Sequence, residues 1–232
     1  MQLRIGGLTP LTTIDFPGHL AAVVFCQGCA WRCPYCHNPH LLPVNCDGTD
    51  WPMLQAFLEP RRGLLDGVVF SGGEPLFQSG LADAMEGVKS MGFKVALHTA
   101  GTHPDRLRRL LPLLDWVGLD IKTSLEHYPQ LTGITGSGVK AQESLALLLE
   151  SGISHEIRTT VDPHLFSRKT LLELAEELAD FGVIHYVLQL CRPVENVDQL
   201  VHLENTTFLL DTALLERLEG LFSSFMVRGL NR

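Results

Sequence analysis

Short apolar runs alternate with longer segments of helical periodicity along most of this chain. Six runs rich in Val, Ile, Leu and aromatic residues have the composition of buried parallel strands, and they occupy residues 20–26, 67–70, 93–98, 116–121, 156–161 and 184–190. Helical patterns lie at residues 51–62, 78–91, 104–113, 140–151, 168–180 and 211–225. Strands that alternate with helices in this way predict βα units around one parallel sheet.

The chain length helps to decide which architecture these units form. A closed barrel of eight units usually needs about 250 residues, so six units in 232 residues favour an α/β fold built as a partial, TIM-like (βα)6 barrel. We expect residues 1–19 to form an N-terminal extension and residues 20–200 to form the core barrel. Residues 201–232 are expected to form a C-terminal helix that packs on the core.

Composition and charge exclude several classes of protein. Apolar residues make up 45% of the chain and charged residues 19%, which excludes a disordered chain. The formal net charge of −8 argues against the basic surface that tracks nucleic-acid phosphates. No apolar run approaches the roughly 20 residues that span a bilayer, and the N-terminus lacks a signal-peptide pattern. We therefore expect a cytoplasmic protein with no nucleic-acid or membrane partner.

The cysteines are unevenly distributed. Four of the six fall within one short segment directly after the first predicted strand, namely Cys26, Cys29, Cys33 and Cys36. The other two, Cys46 and Cys191, are far apart in the sequence. Four thiols this close together, in a chain without a signal peptide, indicate metal or redox chemistry rather than a disulfide framework.

Three kinds of site are compatible with such a segment. A structural zinc site usually has two Cys-x-x-Cys pairs that are a dozen or more residues apart, but only three residues separate Cys29 from Cys33. Cys33-Pro34-Tyr35-Cys36 on its own resembles a glutaredoxin active site, which is a thiol redox alternative. The third kind is an iron–sulfur cluster held on a single loop, either for electron transfer or for catalysis.

The triplet Cys29-x3-Cys33-x2-Cys36 closely resembles the signature of the radical SAM enzymes. This resemblance implies that the three cysteines hold one 4Fe-4S cluster, whose fourth iron binds the amino and carboxylate groups of S-adenosylmethionine (SAM). Reductive cleavage of SAM then yields a 5′-deoxyadenosyl radical. Tyr35 resembles the aromatic residue that lies against the adenine in this family. Cys26 is able either to close the cluster or to pack in the sheet, and we favour packing.

A second segment supports the same resemblance. Ser71-Gly72-Gly73-Glu74 ends the second predicted strand, about 35 residues after the cysteine loop, and resembles the family motif that binds the methionine amino group. Two glycines allow the backbone to approach a ligand closely, and a carboxylate is an acceptor for a cationic group.

Other candidate residues follow the later strands. Asp120 and Lys122 resemble the Asp-x-Lys of glycyl-radical-enzyme activases, where these residues contact the cofactor. Arg158 and Thr160 lie on the fifth predicted strand, where they could meet a carboxylate and adenine, and Gln189 lies near the end of the sixth. Parallel βα folds build their sites at the carboxyl ends of strands, where all these candidates fall.

The third predicted strand departs from the family. It reads His98-Thr99-Ala100-Gly101, whereas related activases commonly read Asp-Thr-Asn-Gly and use the Asp and Thr to help hold a cation near the cofactor. His98 puts that cation site in doubt and is a candidate for a neutral hydrogen-bonding replacement. Thr99 remains a candidate contact.

Residues 6–194 as a whole resemble the activating enzymes of anaerobic ribonucleoside-triphosphate reductase, on the segments Asp15-Phe16-Pro17-Gly18, Gln27-Gly28-Cys29, Cys36-His37-Asn38-Pro39 and Arg158-Thr159-Thr160-Val161. The resemblance implies a radical SAM partial barrel that abstracts hydrogen from a glycine of a glycyl radical enzyme, with a flavodoxin or ferredoxin as electron donor. It also implies that segment 15–18 lies near the target glycine loop, although a simple turn explains it equally well.

Two alternative functions remain compatible with the sequence. One is a radical SAM enzyme that modifies another peptide or a small molecule. The other is an iron–sulfur or Cys-Pro-Tyr-Cys thiol redox protein that does not bind SAM.

Overall fold

One sheet organises the molecule. The computed structural model describes residues 3–44, 50–162, 165–191 and 211–229. Its eight strands lie side by side in chain order: β1 (Ile5–Thr12), β2 (Ala21–Cys26), β3 (Gly67–Gly72), β4 (Lys94–Thr99), β5 (Trp116–Asp120), β6 (His155–Val161), β7 (His185–Leu190) and β8 (Ser224–Arg228).

Helices connect the strands and cover the outer face of the sheet. They are α1 (Trp51–Leu58), α2 (Leu81–Ser90), α3 (Pro104–Leu110), α4 (Tyr128–Thr132), α5 (Ser137–Ser151), α6 (Arg168–Asp180) and α7 (Thr212–Glu219). Short 3-10 turns lie at Pro39–Leu41, Glu59–Arg61, Pro75–Phe77, Leu111–Leu113 and Leu125–His127. Among the described residues, no helix has the length and apolar character needed to cross a membrane.

The predicted partial barrel is confirmed. Each strand from β2 to β7 pairs in parallel with the next strand, and β1 adds an antiparallel strand to β2. All six predicted strands are present, as β2 to β7. The sheet order runs from β1 to β8, and no pairing joins these two end strands within the described part of the chain, so the barrel is open there.

Two strands were not predicted. The first, β1, lies in the expected N-terminal extension. Its polar and glycine positions do not form an apolar run, and an edge strand tolerates them. The predicted helix 211–225 is wrong in its second half, since α7 stops at Glu219 and residues 224–228 form β8 instead. Segment 224–228 is rich in β-formers and completes the hydrogen bonds of β7, which outweighs the helical pattern. Residues 201–210 and 230–232 lie outside the described residues.

The side chains that alternate along the strands form two apolar layers. The outward-facing ones, such as Phe70, Leu97 and Ile157, pack with the helices in a large core. The inward-facing ones, Ala21, Val23, Val69, Ala96 and Trp116, form a small cluster inside the barrel with Phe16, which lies between β1 and β2.

This inner cluster sets the position of the candidate site. Two residues further along the same faces, the inward side chains become polar: Ser71 follows Val69, and His98 follows Ala96. The two-residue period of a strand places all of them on the concave face. The barrel is therefore apolar at one end and polar at the carboxyl ends of its strands.

Truncation of an outward-facing side chain measures the contribution of the large core. Leu97 is fully buried, whereas Leu64 is 69% exposed. We expect Leu97→Ala to lower the free energy of unfolding by about 2–5 kcal/mol, because it leaves a cavity. Leu64→Ala is the matched control and should change it by less than about 0.5 kcal/mol. Urea unfolding followed by circular dichroism measures both, and equal effects would contradict this packing.

Candidate functional site

An open cavity of about 240 Å³ lies at the carboxyl ends of the strands. The predicted site residues all line it: Cys29, Cys33, Tyr35, Cys36, Ser71, Gly72, Gly73, Glu74, Thr99, Asp120, Lys122, Arg158, Thr160 and Gln189. They come from the cysteine loop and from the ends of five neighbouring strands, β3 to β7, and they span most of the chain. The fold thus brings together every residue that the sequence singled out for the site.

The cysteine loop, residues 27–43, is closed on itself by hydrogen bonds. The amide of Gly28 donates to the carbonyl of Leu41 at 2.7 Å. The buried Gln27 side chain donates from Nε2 to the carbonyls of His40 and Pro43, at 3.1 and 2.8 Å. Sequence reasoning noted Gln27 only within a family motif and missed this role, since its partners follow 13 and 16 residues later.

The glycine turn after β3 packs directly on the cysteine loop. The amide of Gly73 donates to the Cys26 carbonyl at 2.8 Å, and the amide of Glu74 donates to the Gly28 carbonyl at 3.0 Å. A Cβ on Gly72 would lie 2.3 Å from the Cys26 nitrogen, and one on Gly73 would lie 2.6 Å from the Gly28 oxygen. Both glycines are therefore required by contact between the two loops, a reason the sequence did not supply.

Glu74 uses its carboxylate within the protein. Its Oε1 accepts from the Leu76 amide at 3.0 Å and from the Thr99 hydroxyl at 2.5 Å, while Oε2 accepts from the Ala100 amide at 2.9 Å. Burial raises the pKa of Glu74, and these hydrogen bonds offset only part of that increase. The side chain therefore ties the end of β3 to the end of β4, and it explains why Thr99 is buried beside the cavity.

A chain of charged side chains crosses the inner face from β5 to β8. Arg158 donates from Nε to Asp120 Oδ1 at 2.9 Å, and its Nη2 forms an ion pair with the same oxygen at 2.9 Å. Lys122 Nζ lies 3.9 Å from Asp120 Oδ2. Glu156 lies 4.0 Å from Arg158 Nη1 and receives two hydrogen bonds from Arg228, at 2.7 and 2.8 Å. Opposite charges that alternate in this way compensate for the loss of water around each group.

Two neighbouring positive charges keep the Asp120 carboxylate ionised. Burial acts to raise the pKa of Asp120, but the positive charges of Arg158 and Lys122 outweigh burial and hold that pKa below its usual value. Asp120 therefore remains a fixed negative partner for the guanidinium.

His98 has both ring nitrogens engaged. Nε2 lies 2.7 Å from the backbone carbonyl of Asp15, and Nδ1 lies 3.3 Å from Arg158 Nη1. Burial and the neighbouring Arg158 lower the pKa of His98 to about 3. The imidazole is thus neutral, which fits the hydrogen-bonding replacement that the sequence suggested.

Tyr35 presents an unsatisfied group. The side chain is 4% exposed, and its hydroxyl has no hydrogen-bond partner within the described part of the protein. Lys122 Nζ lies 5.9 Å from the centre of the ring. A buried hydroxyl without a partner is costly, so this group beside the cavity is available to a ligand.

The thiols divide into two groups. Cys29 and Cys33 are partly buried at the cavity, and burial raises the pKa of both, to about 12 for Cys29. A dithiol redox site needs a lowered thiol pKa at a helix N-terminus, and the cysteine loop has no helix before Pro39–Leu41. Cys26 is fully buried in the large core, which agrees with a packing role.

The remaining two cysteines, Cys191 and Cys46, are not part of the cysteine loop. Cys191 Sγ lies 3.3 Å from His37 Nε2, and Cys46 lies outside the described residues. No three His, Cys, Asp or Glu side chains among the described residues are grouped around a single ion position.

Comparison with known proteins identifies relatives of this chain. A sequence model of the Radical SAM superfamily matches residues 23–178. A protein of Methanocaldococcus jannaschii that carries the name of a glycyl-radical enzyme activating enzyme is 27% identical over 219 residues, which cover 86% of this chain and 84% of that protein. The pyruvate formate-lyase-activating enzyme of Clostridium pasteurianum is 32% identical over 206 residues, covering 85% and 81%.

A solved structure shares the fold. Streptococcus suis SuiB bound to S-adenosylmethionine superposes with a TM-score of 0.62 at 13% identity, over 88% of this chain. The match covers 46% of the SuiB chain, so this chain spans less than half of that protein.

The contact between the glycine turn and the cysteine loop can be tested by adding one methyl group at Gly73. We expect Gly73→Ala to destabilise the protein by about 1–3 kcal/mol, because its Cβ would meet the Gly28 and Leu41 carbonyls at 2.6 and 2.8 Å. It should also reduce the iron bound after anaerobic reconstitution. Gly7→Ala is the control, since its Cβ would meet nothing closer than 3.7 Å. Similar iron contents and unfolding midpoints for the two variants would refute the contact.

Proposed function

The chain belongs to the radical SAM superfamily, and from that premise we propose that it activates a glycyl radical enzyme, anaerobic ribonucleoside-triphosphate reductase, by removing a hydrogen atom from a backbone glycine. One observation carries the proposal: the three cysteines of the signature and the strand-end residues line the same cavity of an open barrel. Relatives named as activating enzymes match most of the chain and most of their own lengths, which supports the activase class.

The donor set of the cavity fits the cofactors of the superfamily. Cys29, Cys33 and Cys36 would hold one 4Fe-4S cluster, since thiolates are the usual cluster ligands. The unpaired Tyr35 hydroxyl and the Arg158 guanidinium offer hydrogen bonds toward the rest of the cavity, where SAM would lie. When bound, the cluster and SAM supply an electron and a radical that abstracts hydrogen.

The protein's own groups hold and orient these ligands. Arg158 has a fixed orientation because Asp120 accepts a hydrogen bond from its Nε and forms an ion pair with its Nη2. It presents a positive charge suited to the carboxylate of SAM. Glu74 acts on the backbone of the site, because both of its oxygens accept hydrogen bonds from the protein. We propose that the amino group of SAM is met by this turn, whose shape Glu74 maintains.

The barrel leaves room for a protein substrate. The end strands β1 and β8 are not paired with each other in the described part of the chain, so the concave face is open on that side. Below the cavity, Phe16 and Trp116 fill the barrel, which closes the opposite end to water. A loop of a partner protein would therefore enter from the open side and present its glycine above the cavity.

We propose flavodoxin or ferredoxin as the electron donor.

A second partner has specific support. The relative from Clostridium pasteurianum is named as an activating enzyme of pyruvate formate-lyase, so an enzyme of that type is the alternative glycyl radical partner.

Radical SAM chemistry is tested by the cleavage of SAM. The protein, reconstituted anaerobically and reduced, should form 5′-deoxyadenosine from SAM, measured by chromatography. Cys33→Ala should abolish the product because it removes a proposed cluster ligand. Cys26→Ala is the matched control, since Cys26 lies in the core, and it should retain the iron and form the product. No product from wild-type protein with an intact cluster would reject the enzymatic function and favour electron transfer.

The identity of the partner is tested by electron paramagnetic resonance. Incubation of the reduced enzyme and SAM with purified anaerobic ribonucleoside-triphosphate reductase should produce a glycyl radical signal, which should be absent when the target glycine of the reductase is replaced by alanine. Pyruvate formate-lyase is the parallel sample. A signal with the lyase alone would replace the proposed partner, and a signal with neither, while SAM is cleaved, would favour a peptide or small-molecule substrate.

A further inference from the structure

The two hydrogen bonds of His98 define its tautomer and its direction. The carbonyl of Asp15 can only accept, so Nε2 must carry the hydrogen, and a guanidinium can only donate, so Nδ1 must present its lone pair to Arg158. One imidazole therefore bridges the segment between β1 and β2 (residues 13–19) and a residue of the cavity wall. The bonded residues are 83 and 60 positions away from His98 in the sequence.

Segment 13–19 has a buried base and an exposed tip. Phe16 is 2% exposed in the inner cluster, while Ile14, two residues earlier, is 75% exposed. The Thr12 hydroxyl donates to Asp15 Oδ2 at 2.5 Å and also accepts from the Ile14 amide at 3.3 Å. These contacts hold the Asp15 carbonyl in place for His98, while the tip remains in solvent.

Arg158 lies in a slot that fits its guanidinium closely. A Cβ on Gly118 would lie 2.8 Å from Arg158 Cζ, so only glycine leaves room for the group over β5. Asp120 holds one side of the guanidinium, and His98 accepts from the other side. Glu156 lies 4.0 Å from Nη1, too far for a hydrogen bond, and is already paired with Arg228.

We propose that His98 is a positioning residue that couples segment 13–19 to the orientation of Arg158. The inference rests on the proposed function only in that SAM is the ligand that Arg158 meets. Coupling between two sites is reciprocal: ligand at Arg158 stabilises segment 13–19, and whatever holds that segment favours ligand at Arg158. A partner that docks at the exposed tip would thereby act on the SAM site without touching it.

Two substitutions separate the two bonds. Asn in place of His98 offers an oxygen near the position of Nδ1 but does not reach Asp15. Gln reaches toward Asp15 but lacks an acceptor at the Nδ1 position. His98→Asn and His98→Gln should therefore each break the coupling while keeping a neutral polar side chain. His185→Gln is the matched control, because His185 is exposed at the opposite end of β7.

Hydrogen exchange provides the readout, measured by mass spectrometry on peptides that cover residues 9–20. The reporting amides are those of Ile14 and Asp15, which donate to the Thr12 hydroxyl, and of His19, which donates to the Phe16 carbonyl. In cluster-free protein without SAM, His98→Asn should speed their exchange relative to wild type and His185→Gln. In reconstituted protein, saturating SAM should slow their exchange about fivefold or more in wild type, but not in either His98 variant.

SAM affinity, measured by equilibrium dialysis, separates this inference from the proposed function. His98→Gln should bind SAM about fivefold or more weakly, and His98→Asn should lose less affinity because it keeps an acceptor for Arg158. Equal SAM-induced protection in wild type and His98→Asn would overturn the coupling while leaving the function intact. A wild-type protein that does not bind SAM would instead overturn the function, and unchanged exchange in SAM-free His98→Asn would overturn the bridge itself.

Discussion

The close contact between the glycine turn and the cysteine loop is the constraint on which the site depends. Gly73 and Glu74 donate backbone hydrogen bonds to Cys26 and Gly28, and this geometry leaves no space for a side chain at Gly72 or Gly73. The loop that carries the three thiols is anchored in part by the buried side chains of Trp31 and Leu41. Its backbone is held in addition by hydrogen bonds to the neighbouring turn and by Gln27, which joins the two ends of the loop.

Buried polar contacts also connect the carboxyl ends of the strands, which form the rim of the cavity. Glu74 joins β3 to β4, and Arg158 joins β6 to β5 through Asp120. Two neighbouring pairs of strand ends are thus joined by a buried side chain that has hydrogen-bond partners. Buried charges are tolerated only when they are paired and hydrogen-bonded, and here the pairing also fixes the shape of the cavity. Stability and orientation of the site come from the same contacts.

The open side of the barrel gives the proposed protein substrate access to this rim. A closed barrel would surround its cavity with loops on all sides, whereas this sheet ends at β1 and β8 without pairing between them in the described residues. The inner cluster around Phe16 seals the barrel from below, so access is from the carboxyl ends and the open side. The segment that contributes Phe16 also reaches His98, so the seal of the barrel and the wall of the site share one piece of chain.

The sequence by itself determined the parallel βα architecture and the six strands β2 to β7, which follow from the apolar runs. The residues predicted for the cavity came from the resemblance of the cysteine triplet and the strand-end segments to a known family, together with the rule that sites form at strand ends. Only the tertiary structure decided that segment 224–228 is a strand, because its hydrogen-bond partner is β7, and that Glu74 binds β4. The bridge from Asp15 through His98 to Arg158 joins residues far apart in the chain, and no local pattern encodes contacts that exist only after the sheet has curved.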